Sequence, residues 1–599
     1  MLYQLTQYAK SKDLPCMPGY ARKEIRAIVT ITRDGRFLQA EPCEWSYDLC
    51  PTLSFSEMIA GGVTRSHFLV DTVATILGLD EKSAAKQKAF IWLHDTAAEH
   101  VPLLKPLSLM MHNGCYLEEM AANLSALKLK PTNNITFRLA GEDRCLVERD
   151  EWKEWWLSYR ESLLPKDDNR ERMRCFVTGE MVIPAATHPK LKLASVGGQS
   201  AGSTLIGFDK KSFASFGLKQ SANAACSEDA AAVYAGALDD LIVNAPRPLA
   251  EILMLHWMDR PVPPEEDPFG FFAETQDAEA EEEREKAWAL HAVRRLVEAV
   301  RTGERPEFTA NRYHALLLSG TKGRAMIRGV YEGELTDLYM KVGDWFDGLT
   351  ITGPYGGAPA DPPRLFVLLT RMLPYRPQTS NKDMLAAMNK QLSPLLARIW
   401  ESILRGSPFP QEAANRALQH MKSRLQRSRE DGREHGPENL DRICCAILKL
   451  WHNRAQRHGL IRTGGVKMET RLNTSHPSPA YHAGRLLAVL NHLQHTALGD
   501  VGADVVQRFF SAASVMPGMV VGRLIDGAQP HLGKLRREEK MGLYVRYQQL
   551  ITDIMSRLDD QILDQLDFAG QTLFALGYYH QSASLFEKRK DSTIEEKEE

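Results

Sequence analysis

The sequence predicts an α+β fold, a mixed N-terminal α/β region followed by an all-α C-terminal helical bundle. Three observations carry that expectation. Apolar residues alternate over Ile25, Ala27, Val29 and Ile31, the period of a half-buried strand. Strand-like segments recur as far as NRYHALLLSGTKGRAMIRGVYEG at 311–333, and beyond Pro374 the apolar stripes keep helical spacing instead. At 599 residues the chain is also too long for one core. The expected division is an α+β domain over 1–373, a basic helical connecting region over 374–467, a helical bundle over 468–586 and a disordered polar tail over 587–599.

The first sixty residues read as a short helix and then a β-hairpin, with Asp34-Gly35 as its turn and Phe37-Leu38 opening the return strand. Gly61-Gly62-Val63-Thr64-Arg65-Ser66-His67 follows as an exposed loop. Arg65, Ser66 and His67 on such a loop can enter a DNA groove, where arginine reads guanine edges or occupies a narrow minor groove. An ordinary solvated connection has the same sequence signature. Residues 81–100, EKSAAKQKAFIWLHDTAAEH, are helical, with Ala85, Ala89, Trp92 and Leu93 near one face. They include His94-Asp95, with His100 downstream, and imidazole with carboxylate suits a divalent cation in a phosphohydrolase. Adjacent helical residues point about 100° apart and no second cluster offers further ligands, so a histidine on the helix surface or satisfied within the core is the stronger reading.

Asn134 to Leu139 is a strand and Gly141-Glu142-Asp143 a turn. Trp152, Trp155 and Trp156 share one helical face, the spacing of a buried stripe rather than of a base-stacking surface. MRCFVTGE at 173–180 reads as a strand into a turn, and THPKLK at 187–192 as a basic loop. The region is organised around 197–236. There a Gly-Ser-Gln loop precedes a short apolar strand, Thr204 to Phe208, and Lys210-Lys211 turns the chain into a polar segment with Lys219, Gln220, Ser221 and Asn223. Ser227, with Glu228 and Asp229 in the first turn, starts a helix whose Ala230, Ala231, Tyr234, Ala237 and Leu238 keep helical spacing. Long or amide-bearing side chains on such loops suit phosphates and base edges, although a loop bonded to itself would use the same residue types.

Between 261 and 286 the composition turns acidic, with Glu279 to Glu285 a solvated run that would repel phosphates. Arg294, Arg295, Arg301 and Arg305 then rebuild positive charge. Residues 311–333 are two strands about a Gly-containing turn, offering Lys322, Arg324 and Arg328 to phosphates. GTKGR lacks the spacing and ending of a P-loop, which excludes nucleotide hydrolysis on that motif. Met384 to Leu404, Ala413 to Arg429 and Leu440 to His458 are helices, and 421–471 carries roughly twice as many basic as acidic residues, the mark of a basic helical surface. The bundle follows. Leu486, Leu490 and Leu493 mark one helix, Val506, Phe509, Phe510 and Ala513 a second that stops before Pro517, Leu543 to Leu558 a third, and Leu573 to Phe586 a fourth.

Lys and Arg (74) nearly balance Asp and Glu (76), so any nucleic-acid contact must come from local patches. The nine cysteines form no CxxC pair, which argues against a zinc ribbon or a disulfide framework and for reduced thiols in a cytoplasm. No signal segment and no apolar run of spanning length is visible, so no membrane partner is expected, and no cofactor motif is present.

Several long strings in fixed order carry a resemblance. They are GGQSAGSTLIGFDKKSFASFGLKQSANAACSEDAAAVY, CFVTGE, THPK and NRYHALLLSGTKGRAMIR, with GYARKEI near the start and FALGYYHQ near the end. Together they resemble the large subunit of the type I-C CRISPR surveillance complex, Cascade. The resemblance implies a non-catalytic subunit that recognises the protospacer-adjacent motif in double-stranded DNA, promotes R-loop formation and supports recruitment of a helicase-nuclease. Its implied partners are CRISPR RNA and the guide-RNA backbone and processing subunits. It further implies that the bundle matches the complex's small subunit, translated separately from an internal start. Met468 fits such a start, because Gly464-Gly465 can be encoded GGA-GGN with Val466 and Lys467 as spacer.

The candidate nucleic-acid contacts are Arg65, Ser66, His67, Gln199, Ser200, Lys210, Lys211, Lys219, Gln220, Asn223, Lys322 and Arg324. Two other readings are a metal-dependent HD-type nuclease using His94 and Asp95, and a subunit that only packs between guide-holding neighbours.

Overall fold

The alternation at 25–31 folds as a strand, Tyr20–Ile31, whose Ile25, Ala27, Val29 and Ile31 are fully buried. It pairs antiparallel with Phe37–Pro51 and parallel with Asn134–Leu139, which pairs in turn with Asp71–Thr72. The computed structural model describes residues 1–599 apart from 164–170, 201, 215, 273–293, 300, 303–309, 377–379, 428–440, 463–464, 500, 502–503, 559–564 and 596–599, and the side chains of 55, 427 and 588–595. The architecture is α+β, as the sequence predicts.

The chain divides into two compact units, Met1–Ala245 with Ser319–Met326, and Pro246–Leu318 with Ile327–Glu599. This division falls well before residue 373, and the segments on either side of Met468 share one hydrophobic core.

In the first unit the helix Leu2–Ser11 precedes the sheet, and Glu81–His100 forms over the expected residues, started by the Asp80 carboxylate accepting from Ser83 N at 2.7 Å. Its buried face differs from the one expected. Phe90, Leu93, His94 and Ala97 face the core, while Ala85 and Trp92 are exposed. The i, i+3, i+4, i+7 set beginning at Phe90 makes a continuous apolar stripe, and Trp92 lies off it. Trp152 and Trp156 are fully buried, stacked or edge-on to Phe68, as core packing requires. The helix Glu228–Val243 begins at Ser227, whose hydroxyl accepts from Ala230 N at 3.1 Å. The apolar strand expected over Thr204 to Phe208 shrinks to Ser203–Thr204, because the chain leaves the sheet after one pairing step.

In the second unit Leu253–Met258 pairs antiparallel with Arg312–Thr321, and the remainder is mainly helical. Phe269, Phe271 and Phe272 are buried, so the expected exposed loop after Pro261 is anchored in the core. Glu279 to Glu285 and Arg305 lie outside the described residues. The helices Asn381–Arg405, Gln411–Arg427 and Arg442–Arg457 match the expected ones.

Among the described residues the basic excess over 421–471 is divided: Arg457, Arg462, Lys467 and Arg471 are exposed, whereas Lys422, Lys449 and Arg454 are buried. Lys449 and Arg454 are 2% and 1% exposed. Lys449 Nζ donates to the carbonyls of Asp347 and Gly348 at 3.2 and 3.0 Å, in the last turn of Leu335–Leu349. Arg454 donates to the carbonyls of Ser402 and Ser407, around the end of Asn381–Arg405. Helix C-termini leave carbonyls unbonded and carry partial negative charge, so cations on Arg442–Arg457 cap two neighbours at once. Arg424 bonds the buried Asp441 at 2.8 Å. Composition alone cannot separate such a capping cation from a solvated one.

A helix expected nowhere, Pro517–Arg537, follows Val505–Ala513. Pro517 reads as a stop, yet proline is favoured in a first helical turn, where no amide proton is needed. The last helix, Phe568–Glu595, continues beyond Phe586 into the tail expected to be disordered. Among the described residues no helix is long and apolar enough to cross a membrane.

Candidate nucleic-acid interface

The strands Arg312–Thr321 and Arg324–Glu334 are joined by Lys322-Gly323, with φ of +44° and +85°. Two successive left-handed residues form the tight turn whose twist matches a hairpin, and they push the Lys322 side chain into solvent. Against this tip lies the glycine-rich loop. Thr204 N donates to Gly323 O at 2.8 Å, Thr204 pairs in parallel with Arg324, and Gly202 N closes a turn onto Gln199 O at 3.0 Å. A side chain on Gly320 would overlap the backbone of Gly198, so the two segments touch main chain to main chain. Gln199 passes over Gly323: a Cβ there would lie 2.9 Å from its Oε1.

The fold thus brings Gln199, Ser200, Lys322 and Arg324 together, all exposed. Arg324 donates to Asp209 Oδ1 at 2.9 Å and ties the tip to the start of the lysine loop, where Lys210 and Lys211 are exposed. Lys219 and Gln220 are exposed at the loop's return, with Gln220 at φ +44°. A left-handed non-glycine residue carries a conformational cost that the surrounding structure has to hold in place. Asn223 serves the loop itself: its Nδ2 donates to Gln220 O at 3.1 Å and Leu218 O at 3.4 Å. Ser221 is buried against Ala186 O.

Arg65, Ser66 and His67 are not part of this cluster. Arg65 folds back to donate to Ala60 O and Val63 O. Ser66 is 1% exposed. His67 Nδ1 accepts from Leu53 N at 3.3 Å, its backbone N–H donates to Asp71, and burial, reinforced by Lys23, lowers its pKa to about 3. The solvent-facing part of that loop is Gly61 to Thr64, with both glycines at positive φ and open space around them. The three side chains expected to reach outward fasten the foot of the loop.

Beside the linker from Leu14 to Gly19 and the start of the strand Tyr20–Ile31 is a cavity of about 460 Å³. Asp48, Asp239, Asp240 and Glu228 line it, with Arg22 and Arg160 already paired to acids. Burial pushes the Asp239 carboxyl up to about 6. That charge balance does not suit a phosphate.

His94 and Asp95 serve separate structural ends. His94 is fully buried between Phe68 and Phe90, Nδ1 donating to Phe90 O at 2.7 Å and Nε2 accepting from Leu69 N at 3.1 Å. Both ring nitrogens are occupied, so no lone pair is left for a metal, and burial lowers the pKa to about 4. Asp95 instead accepts from Ser108 and meets His112 Nε2 at 2.8 Å. No group of three or more metal-ligating side chains converges among the described residues.

The family is decided by a match along nearly the whole chain: the family model for CRISPR-associated protein (Cas_Csd1) covers residues 2–586. The chain belongs to the Cas_Csd1 family. No curated protein matches it. It is a Cascade-type CRISPR protein, and in this Cas_Csd1 chain the match takes in both the glycine-rich loop and the hairpin tip.

Sequence reasoning passed over one exposed residue beside the candidate interface of this Cas_Csd1 chain. Phe216, between the lysines of the loop, is 89% exposed. The sequence carries no clear signal for it, since Phe213 three residues before and Leu218 two after in FASFGLK suit a buried aromatic equally well.

Proposed function

We propose that this Cas_Csd1 protein is the non-catalytic large subunit of a type I-C CRISPR surveillance complex. In that role it recognises the protospacer-adjacent motif in double-stranded DNA, promotes R-loop formation and supports recruitment of the helicase-nuclease in antiviral defence. Its partners are CRISPR RNA, the guide-RNA backbone and processing subunits, the target duplex and a small subunit, and its compartment is the cytoplasm.

The observation that carries this reading is the clamp of the glycine-rich loop on the hairpin tip. It holds Gln199, Ser200, Lys322 and Arg324 exposed on a base fixed by backbone contact. Amides and hydroxyls suit the acceptors of a minor groove, where readout is degenerate, and nearby lysines hold phosphates without regard to sequence. Arg65, Ser66 and His67 stand outside this cluster and support their own loop rather than touch DNA. The test is affinity for duplexes with matched and mismatched flanking motifs. Gln199→Ala and Gln220→Ala should lower the ratio between them, whereas equal loss on both would remove these residues from the reader.

The small subunit would arise by translation from Met468. In the full chain that methionine is buried and its backbone exchanges two hydrogen bonds with the Asn453 side chain, at 2.7 and 3.0 Å, so a separate product would lose this anchor. A GGC or GGT codon at Gly464 would count against the internal start.

A further inference from the structure

We infer that Phe216 is a stacking platform for an unpaired nucleobase, so that the lysine loop takes single-stranded DNA in preference to intact duplex. This rests on the reading above that the loop meets DNA. Phe216 is the most exposed large apolar side chain among the described residues, at 89%. A benzyl group left in water forfeits the free energy of burial, and the described residues of the loop leave it uncovered: Gly217 beside it has φ +77° and open space around it. The loop has its own anchor. Phe208 and Phe213 meet edge to face at 5.5 Å, and Leu218 and Asn223 are half-buried, so Phe216 is held out from a fixed base.

The charge around it selects the occupant. From Asp209 to Asn223 the sequence has three lysines and one acid, and that acid is paired with Arg324. Lys210, Lys211 and Lys219 are exposed on both sides of the ring in the chain. Cations that hold a phosphate backbone, with an aromatic face between them, are the elements by which proteins bind single strands without regard to sequence. Intact duplex satisfies the lysines but buries its base faces against one another, leaving the phenyl ring without a partner. A strand with an unstacked base satisfies both.

The experiment uses the full chain with a single-stranded oligonucleotide carrying 2-aminopurine and a blunt duplex of the same sequence. Phe216→Ala should weaken the single strand by roughly ten-fold or more and abolish 2-aminopurine quenching, with duplex affinity held within about two-fold. Phe216→Tyr, which keeps the ring, should behave as wild type. Equal losses on the two substrates, or no loss on the single strand, overturn the stacking role. The triple variant Lys210→Ala, Lys211→Ala, Lys219→Ala separates the two levels. If it weakens both substrates while Phe216→Ala weakens neither, the loop meets DNA without stacking, and if it weakens neither, the reading of the loop as a DNA contact fails as well.

Discussion

Gly320 on the hairpin and Gly198 on the glycine-rich loop meet backbone to backbone, and the same Gly198 has no room of its own, since a Cβ there would lie 2.6 Å from both Leu193 O and Ser203 Oγ. The orientation of Gln199 and Ser200 therefore depends on two positions that contribute no side chain.

Gly320→Ala should separate the loop from the hairpin. The expected cost is about 1–3 kcal/mol, the range for forcing a methyl group into a packed site. Hydrogen exchange is the direct measurement. The amides of Gly198 and Gly202 should lose protection, while Glu81–His100 in the same unit should keep its own.

The three lysines act through phosphates, so their loss should show in salt dependence. The triple alanine variant should flatten the slope of log K against log salt by about 0.9 for each phosphate contact removed. Matched and mismatched flanks should weaken alike, in contrast to the glutamine variants.

His94→Ala should destabilise the first unit by about 2–4 kcal/mol, through a cavity between Phe68 and Phe90 and an unbonded Leu69 N–H. Chemical denaturation measures this. Plasmid incubated with the wild-type chain and magnesium or manganese should stay uncut, and cutting that His94→Ala removes would restore the nuclease reading.

The second unit should weaken in acid. His452, His476 and His482 have pKa values lowered to about 4 and His580 to about 3, in each case first by burial. A histidine whose folded pKa is depressed contributes stability above its unfolded value, near 6.5, and loses it as pH falls toward the folded value. Each such group loses on the order of 1.4 kcal/mol for every pH step of one between those two values, so a single one of them costs roughly 3 kcal/mol from about pH 6.5 to 4 and the four together should unfold the unit before pH 4 is reached. Urea midpoints across that range measure it, and His580→Gln should flatten the curve.

Where local pattern and tertiary demand agree, the sequence was legible to within a residue or two. The strand Asn134–Leu139, the helix Glu81–His100 and the cap at Ser227 each rest on spacing or on a side chain that bonds its own neighbours. Legibility failed where a distant segment decides the outcome. Lys449 and Arg454 have the pattern of surface cations, and only the carbonyls of two other helices make them internal. Ser66 and His67 sit in a polar loop, yet Asp71 and Leu53 draw His67 inward. At the site, the residue types were readable, but the contact of Gly198 with Gly320 spans more than a hundred residues and has no local signature.

Whether the clamped loop reads the sequence beside the target comes down to one ratio. It is the affinity of the guide-loaded complex for a duplex with the correct flanking motif over that for an altered one, in wild type and in the double variant Gln199→Ala, Gln220→Ala. In the variant the ratio should collapse toward one while affinity for the altered duplex holds. A ratio unchanged from wild type, or a parallel fall on both duplexes, would mean that the flank is read elsewhere.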